Sequence, residues 1–349
     1  MSPSTVLLAE PRGFCAGVEM AIKALTWMVR VFEPPVYCFH DIVHNRWVVK
    51  AFEDVGVIFV DDIDDVPAGA PVMLSAHGSA PEVVSNAEAR AGIVVDAVCP
   101  LVTKVHHEVR RMADRGFEII YVGHAGHDEA IGTVAEAPEA ITLVEPETGL
   151  TDFAPADPSK VALLAQTTLG VHEWQAVLDE ARRSFPAVSM ARKSDLCYAT
   201  TNRQDAVRAL AESADLILVV GSESSSNTRA LVRVAREGGV AAYRIDDADS
   251  IEDTWIDAAT VVGLTAGASA PDHLVQEVID RINPRDGVRL LSVTEEGEYF
   301  PLPPQLRSLL RALQQTVEAG FGARPSVVPG PLDRDVDWNA TEALAAISR

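Results

Sequence analysis

The chain alternates apolar runs of strand length with stretches whose apolar residues recur at helical spacing, and this alternation predicts an α/β protein. Behind Cys15, the residues Val18, Ile22, Leu25 and Met28 mark one helical face. Behind Cys99, Val102, Val105, Val109 and Met112 mark another. Behind Cys197 the pattern is weaker until Ala206, Val207 and Leu210. Three segments share one order of apolar or mixed run, short loop, cysteine and helix: 6–15, 93–99 and 188–197. Each continues into a second strand that ends in a polar cluster, His40-Asp-Ile-Val-His-Asn45, Gly123-His-Ala-Gly-His-Asp-Glu129 or Gly221-Ser-Glu-Ser-Ser-Ser-Asn227. A third strand ends in Leu74-Ser-Ala-His-Gly78, Leu164-Ala-Gln-Thr-Thr168 or Leu264-Thr-Ala-Gly-Ala-Ser269. The separations Cys15 to His44, Cys99 to His127 and Cys197 to Ser226 are 29, 28 and 29 residues, which supports a common repeat.

Ligands of open α/β sheets bind beyond the carboxyl ends of the strands, where all these polar clusters fall. The expected architecture is three α/β domains related by pseudo-threefold symmetry, a trefoil whose strand ends face one central cavity. Boundaries near 92, 188 and 283 give domains over 5–92, 93–188 and 189–283, followed by a C-terminal strap and tail over 284–349. In that last part Phe300-Pro-Leu-Pro-Pro304 reads as a turn or extended strap and Leu306–Val317 as a short amphipathic helix. Arg324–Arg349 reads as a mobile or loosely docked tail.

Composition narrows the function. With 349 residues, 48% hydrophobic and 23% charged, the chain is a folded protein with room for two or three domains. No apolar stretch approaches the ~20 residues of a membrane span. Thr5–Ala9 ends at Glu10 with no basic region ahead of it, unlike a secretory signal. A cytoplasmic protein that binds neither membrane nor nucleic acid is expected, since a net charge of −22 opposes phosphate-backbone binding. One small anion held by local donors remains compatible with that charge.

Four cysteines with no close pair do not form a disulfide framework. Cys38, on an apolar strand, reads as a packed thiol, whereas Cys15, Cys99 and Cys197 share one place in the repeat. Three convergent thiolates suit zinc with an open position, or three irons of a 4Fe–4S cluster with the fourth left open, and sulfur alone does not choose. Around them His44, His77, His127, Ser225, Ser226, Asn227 and Ser269 supply the several donors that a diphosphate needs. No Walker loop or Gly-x-Gly-x-x-Gly is present, so a nucleotide has no support. Glu129 is the candidate proton donor, although a pKa of ~4.3 must be raised by burial or a nearby anion for that task. Thr167 and Thr168 beside it offer hydroxyls for a relay, while Asp128 reads as a surface acid at a helix start.

The segments Pro11-Arg-Gly-Phe-Cys-Ala-Gly-Val18, Ile42-Val-His-Asn45, Ser75-Ala-His-Gly78 and Cys99-Pro-Leu-Val-Thr-Lys104 resemble, in order, those of the 4-hydroxy-3-methylbut-2-enyl diphosphate reductase family. So do Gln166-Thr-Thr-Leu169, Cys197-Tyr-Ala-Thr-Thr-Asn-Arg-Gln204 and Ala266-Gly-Ala-Ser-Ala-Pro271, and the match covers about residues 5–300. The resemblance implies a 4Fe–4S cluster on Cys15, Cys99 and Cys197, with one open iron for the substrate hydroxyl. It implies reductive removal of that hydroxyl to give isopentenyl and dimethylallyl diphosphates, the last step of the methylerythritol phosphate route. Glu129 would feed protons, assisted by Thr168 and His127, both of which also touch substrate. His44, His77, Ser225, Ser226, Asn227 and Ser269 would hold the diphosphate, and a ferredoxin or flavodoxin would supply electrons. Ser224, Thr228 and Phe39 depart from the family pattern, with subtle effects on the pocket expected from the first two. A hydratase using the same cluster without redox chemistry, an iron-sensing binding protein and a zinc hydrolase are the rival readings.

Overall fold

The computed structural model describes residues 3–320 and 335–347. The first repeat runs β1 (Thr5–Glu10), α1 (Ala16–Val31), β2 (Val36–Phe39), α2 (Arg46–Glu53), β3 (Val57–Val60), β4 (Pro71–Leu74) and α3 (Pro81–Arg90). The second runs β5 (Ile93–Asp96), α4 (Pro100–Asp114), β6 (Glu118–Val122), α5 (Asp128–Val134), β7 (Ile141–Val144), β8 (Val161–Ala165) and α6 (Val171–Ser184). The third runs β9 (Ser189–Met190), α7 (Tyr198–Ala211), β10 (Leu216–Val220), α8 (Ser226–Glu237), β11 (Ala241–Ile245), α9 (Asp253–Asp257), β12 (Val261–Ala266) and α10 (Asp272–Ile282). Beyond it lie β13 (Val288–Ser292), α11 (Pro304–Gly320) and α12 (Ala340–Ile347).

The described residues form two compact units, one from Met1–Cys15 with Leu101–Gly297 and the other from Ala16–Pro100 with Glu298–Arg349. The first unit holds the sheets β7-β6-β8-β9 and β11-β10-β12-β1-β13, and the second holds β3-β2-β4-β5. Every strand pair is parallel, as crossover helices require. The strands β8 and β10 are buried along their whole length, because helices cover both faces of a parallel sheet. In β10 the alternation is visible in the packing: Leu216, Leu218 and Val220 join one apolar cluster, Ile217 and Val219 the other.

The α/β class is as the alternation predicts, but the sheets cross the expected boundaries. Each strand that leads a repeat completes the sheet built by the repeat before it: β5 pairs with β4, β9 with β8, and β1 with β12. Sheet membership therefore runs one strand past 92 and 188, and β1 belongs with the third repeat rather than the first. Apolar alternation marks a strand and carries no record of its partner, so only the folded chain reveals this exchange. Past 283, β13 pairs with β1 and adds an edge strand where only a strap was expected.

The expected loose tail is also corrected in part. Its segments 324–334 and 348–349 lie outside the described residues. Within 335–347, α12 packs on α1, with Ala340, Ala343 and Leu344 buried. Asp335 is buried against Lys23, whose Nζ lies 3.0 Å from Oδ1 and donates to the Asp335 carbonyl at 2.7 Å. The Tyr299 hydroxyl donates to the same carboxylate, and Trp338 meets Trp27 edge-on at 5.8 Å. Both members of the ion pair have side chains only 4% exposed, so neither charge can turn to water if the other is lost. Asp335→Ala is expected to cost about 3–5 kcal/mol in urea unfolding, because it strands the Lys23 ammonium. An unchanged denaturation midpoint would show that the C-terminal segment is not clamped this way.

Candidate functional site

In each sheet the chain moves outward from the second strand of its repeat and then returns to the other side of that strand. The neighbouring pairs β2/β4, β6/β8 and β10/β12 are thus topological switch points, where backbone diverges and leaves a crevice at the carboxyl ends. Main-chain bonds close the crevices: Gln166 N–H donates to the Val122 carbonyl at 2.8 Å and Gly267 to Val220 at 2.9 Å, at the ends of β6 and β10, whereas Ala76 reaches Ile42, beyond the end of β2, at 3.4 Å. Every residue expected from sequence to be functional stands at one of these crevices or on a cysteine loop beside it.

The cysteine loops are fixed by a second repeated bond. Cys15 N–H donates to the Ala268 carbonyl at 3.1 Å, Cys99 to Ala76 at 3.0 Å and Cys197 to Thr167 at 3.0 Å. In each case the acceptor lies in the loop that follows the fourth strand of a repeat, β12, β4 or β8. Gly13 adopts φ +65, which allows the tight turn into Cys15. Cys15, Cys99 and Cys197 form no disulfide and are partly exposed, whereas Cys38 is a fully buried thiol in β2. Cys197 caps α7, its Sγ accepting from Thr200 N–H at 3.2 Å and lying 2.9 Å from Thr200 Oγ1. Burial pushes the Cys197 thiol up to about 11, and proximity to Cys15 adds to the rise. A soft metal that displaces both protons relieves this penalty, so this pair fits a thiolate-bound centre.

At the β6/β8 crevice Glu129 is 2% exposed at the start of α5. Its carboxyl accepts Thr167 N–H at 2.7 Å and Thr167 Oγ1–H at 2.9 Å. Burial pushes Glu129 up to about 7 against the pull of those two bonds, with the Asp195 carboxyl adding to the rise. His127 caps the helix, its Nδ1 accepting the Glu129 N–H at 3.2 Å, which assigns the ring proton of neutral imidazole to Nε2. Thr168 does not touch Glu129; its hydroxyl accepts from Gln166 Nε2 at 2.9 Å. Two adjacent threonines look alike in sequence, and only the backbone direction at the end of β8 decides which one grips the acid.

At the β10/β12 crevice Ser225 caps α8, its Oγ accepting Thr228 N–H at 3.2 Å, and Ser226 Oγ accepts from Gln166 Nε2 at 3.5 Å. Asn227 is 4% exposed, yet neither its Oδ1 nor its Nδ2 has a hydrogen-bond partner among the described residues. Leaving such groups unmet costs about 1–3 kcal/mol each, so both atoms of this carboxamide could bond a ligand. The fully buried Thr228 hydroxyl is packed so close to Gly221 and Gly267 that a Cβ on either glycine would collide with it. Ser269 is buried on the facing loop, and the start of the α8 helix favours an anion. Gln166, wholly buried, bonds Thr168, Ser226 and the His124 amide at once. It ties the second and third crevices together and carries no motif of its own beyond the Gln-Thr-Thr run.

In the other unit, at the β2/β4 crevice, the His44 and His77 rings stack with centroids 3.8 Å apart and planes 11° from parallel. Two imidazolium cations at that separation repel, so charge on both rings requires an anion to share. Asn45 caps α2, accepting Val48 N–H at 3.1 Å, and orients the loop that carries His44.

Three parallel sheets, each with polar side chains gathered at its switch point and a cysteine loop beside it, define an α/β protein built on one repeated plan. The profile of the family described as LytB protein matches residues 6–283, and the chain belongs to that family. It is 46% identical over 307 residues to a 4-hydroxy-3-methylbut-2-enyl diphosphate reductase of Phenylobacterium zucineum, covering 87% of this chain and 98% of the relative. It is 47% identical over 310 residues to the protein of that name from Acidothermus cellulolyticus, covering 88% and 91%. The solved E-1-hydroxy-2-methyl-but-2-enyl-4-diphosphate reductase of Plasmodium falciparum superposes with a TM-score of 0.86 at 32% identity, over 89% of this chain and 99% of that one.

Thr167→Val keeps the backbone bond to Glu129 and removes the hydroxyl bond that lowers its pKa. The carboxyl titration, followed by its infrared stretch, is expected to move above about 7. An unmoved titration would remove Thr167 from control of the acid.

Proposed function

We propose that this chain is a 4-hydroxy-3-methylbut-2-enyl diphosphate reductase that removes the allylic hydroxyl as water with two electrons and two protons. The products are isopentenyl and dimethylallyl diphosphates. The observation that carries this reading is the bonding of Thr167. Its N–H and hydroxyl hold the Glu129 carboxyl, while its carbonyl accepts the Cys197 amide, so a proton source and a thiol ligand hang on one residue. Cys15, Cys99 and Cys197 are the proposed ligands of a 4Fe–4S cluster, which when bound supplies electrons and a Lewis-acidic iron. The donor set supports that group: three cysteines outside any disulfide, each anchored by the same amide bond, with Cys38 buried in a strand.

The chain's own residues do the rest. Glu129, protonated below about 7, delivers a proton from its carboxyl, and its dry setting keeps that proton available near neutral pH. His127, with its proton on Nε2, and the Thr168 hydroxyl lie beside it as donors toward the substrate. Ser225, Ser226, Asn227 and Ser269 bind the diphosphate with neutral donors at the start of α8, and His44 and His77 add imidazoles that the anion itself helps to protonate. Lys and Arg are sparse in a chain of net charge −22, and a pocket of hydroxyls and amides avoids the need for them. A ferredoxin or flavodoxin is the proposed electron donor. No described helix is long and apolar enough to cross a membrane.

Anaerobically purified protein should be brown and should convert the diphosphate substrate only when a low-potential reductant is present. Turnover without reductant would favour the hydratase reading, and a colourless active protein would remove the cluster. Glu129→Gln is expected to lower kcat by about 100-fold or more while sparing substrate binding. In the parent, kcat should fall as pH rises through about 7, because only the protonated carboxyl donates. That limb should vanish in the variant's residual rate. A persisting limb would assign the proton to another group.

A further inference from the structure

Arg203 lies within the Cys197 motif, and nothing above gives it a task. It is the largest fully buried side chain described, 1% exposed, in the second turn of α7. Its Nη2 donates to the Gly13 carbonyl at 2.8 Å, and its Nη1 donates to the Ala199 carbonyl at 3.0 Å. The same Nη1 meets both oxygens of Glu296 at 2.9 and 3.2 Å, and Asn202 Nδ2 holds that carboxylate at 3.1 Å. Gly13 stands two residues before Cys15, and Ala199 two residues after Cys197. One guanidinium therefore ties the Cys15 loop to the first turn of α7, the helix that Cys197 caps.

We infer that Arg203, aimed by Glu296, is a positioning residue that sets the spacing of Cys15 and Cys197 before any metal binds. The inference rests on the reading of these two thiols as ligands of one centre. Physical chemistry favours a guanidinium here. It presents several donors in a rigid plane, so it can bridge two carbonyls and a carboxylate from different directions. A lysine ammonium places all its donors on one atom and cannot span them. The Gly13 carbonyl reaches Arg203 only because Gly13 adopts φ +65, where a Cβ would also press to 3.2 Å from the Ala270 carbonyl. Backbone bonds from Gly13 N–H to Ala266 and from Cys15 N–H to Ala268 fix the other side of that loop. The Cys15 loop is thus held from below by the third sheet and from the side by Arg203. Glu296 follows β13, which gives the segment after the third repeat a role at the thiols.

The test compares Arg203→Lys, Glu296→Gln and, as a control on the outer part of the same helix, Arg208→Ala. The first readout uses metal-free protein carrying Cys99→Ser, in which a trivalent arsenical can bridge only Cys15 and Cys197. The second uses reconstituted protein with all cysteines: the rate of iron loss to a chelator and the electron paramagnetic resonance spectrum of the reduced state. Arg203→Lys should weaken arsenical capture and speed iron loss by about tenfold or more, with an altered spectrum. Glu296→Gln should shift both in the same direction by less, and Arg208→Ala should shift neither. Cooperative melting shows that each variant folds. Arg203→Lys that melts normally and stays within about twofold of the parent in both readouts overturns the inference. If that variant does not fold, Glu296→Gln decides, and unchanged capture overturns the inference. A parent that gains no iron–sulfur spectrum refutes the proposed function, while arsenical capture still decides for or against the strut.

Discussion

The structure depends on a hydrogen bond made three times. In each repeat the amide of the cysteine donates to a carbonyl in the loop after a fourth strand, at 3.1, 3.0 and 3.0 Å for Cys15, Cys99 and Cys197. The bond exists because the strand leading to each cysteine lies beside the fourth strand of the repeat before it. Thus β1 runs beside β12, β5 beside β4 and β9 beside β8, and each cysteine loop leaves its sheet alongside a loop that carries polar side chains. The strand exchange places Cys197 against Thr167 and Cys15 against Ala268, one residue from Ser269. Had each leading strand stayed with its own repeat, thiol and polar station would not share a backbone bond.

Much of this was legible in the sequence, and the rest was not for definite reasons. The repeats, their cysteines and their strand-end stations are local patterns, and His44, His77, His127, Glu129, Ser225, Ser226 and Asn227 all stand at switch points between strands. The pairing of β1, β5 and β9 is non-local, and parallel partners leave no mark in the spacing of apolar residues. The choice of Thr167 over Thr168 turns on the direction of one side chain past the end of β8. The burial of Arg203 leaves no mark in the sequence, because a charged residue in a helix of weak amphipathic pattern carries no sign of which way it faces. Asp335 and α12 were missed for a related reason: a short segment, separated by a long stretch from the helix it covers, docks through an ion pair that no periodicity reports.

Electrostatics explains why the unit holding Cys15 and Cys197 tolerates so many buried polar groups. Glu129, Gln166, Thr167, Arg203, Ser225, Ser226 and Asn227 are all buried there. Most are satisfied within the protein: Glu129 by Thr167, Gln166 by its neighbours, and Arg203 by two carbonyls and Glu296. A network of this kind in a low-dielectric interior is stable only when its members are paired, and an unpaired member is then conspicuous. Arg203 Nε and the Thr228 hydroxyl are unmet, and at Asn227 both polar atoms are. The elevated Cys197 thiol has the same origin, a group held away from water in a form that metal binding would relieve.

One scaffold used three times has also separated three kinds of chemistry. The crevice of the first repeat holds stacked imidazoles, whose charge responds to an anion. That of the second holds a carboxyl whose burial lifts it to about 7, and that of the third holds uncharged hydroxyls and a carboxamide at a helix start. The second and third crevices are closed by the same strand-end bond and the first by a bond beyond its strand ends, and the side chains and their burial differ at each. A carboxylate at the third station would repel a diphosphate. A serine at the position of Glu129 would leave no proton source with a pKa near neutrality. Thr167 holds the Glu129 carboxyl in the second repeat, apart from the helix start of the third, whose open end favours negative charge.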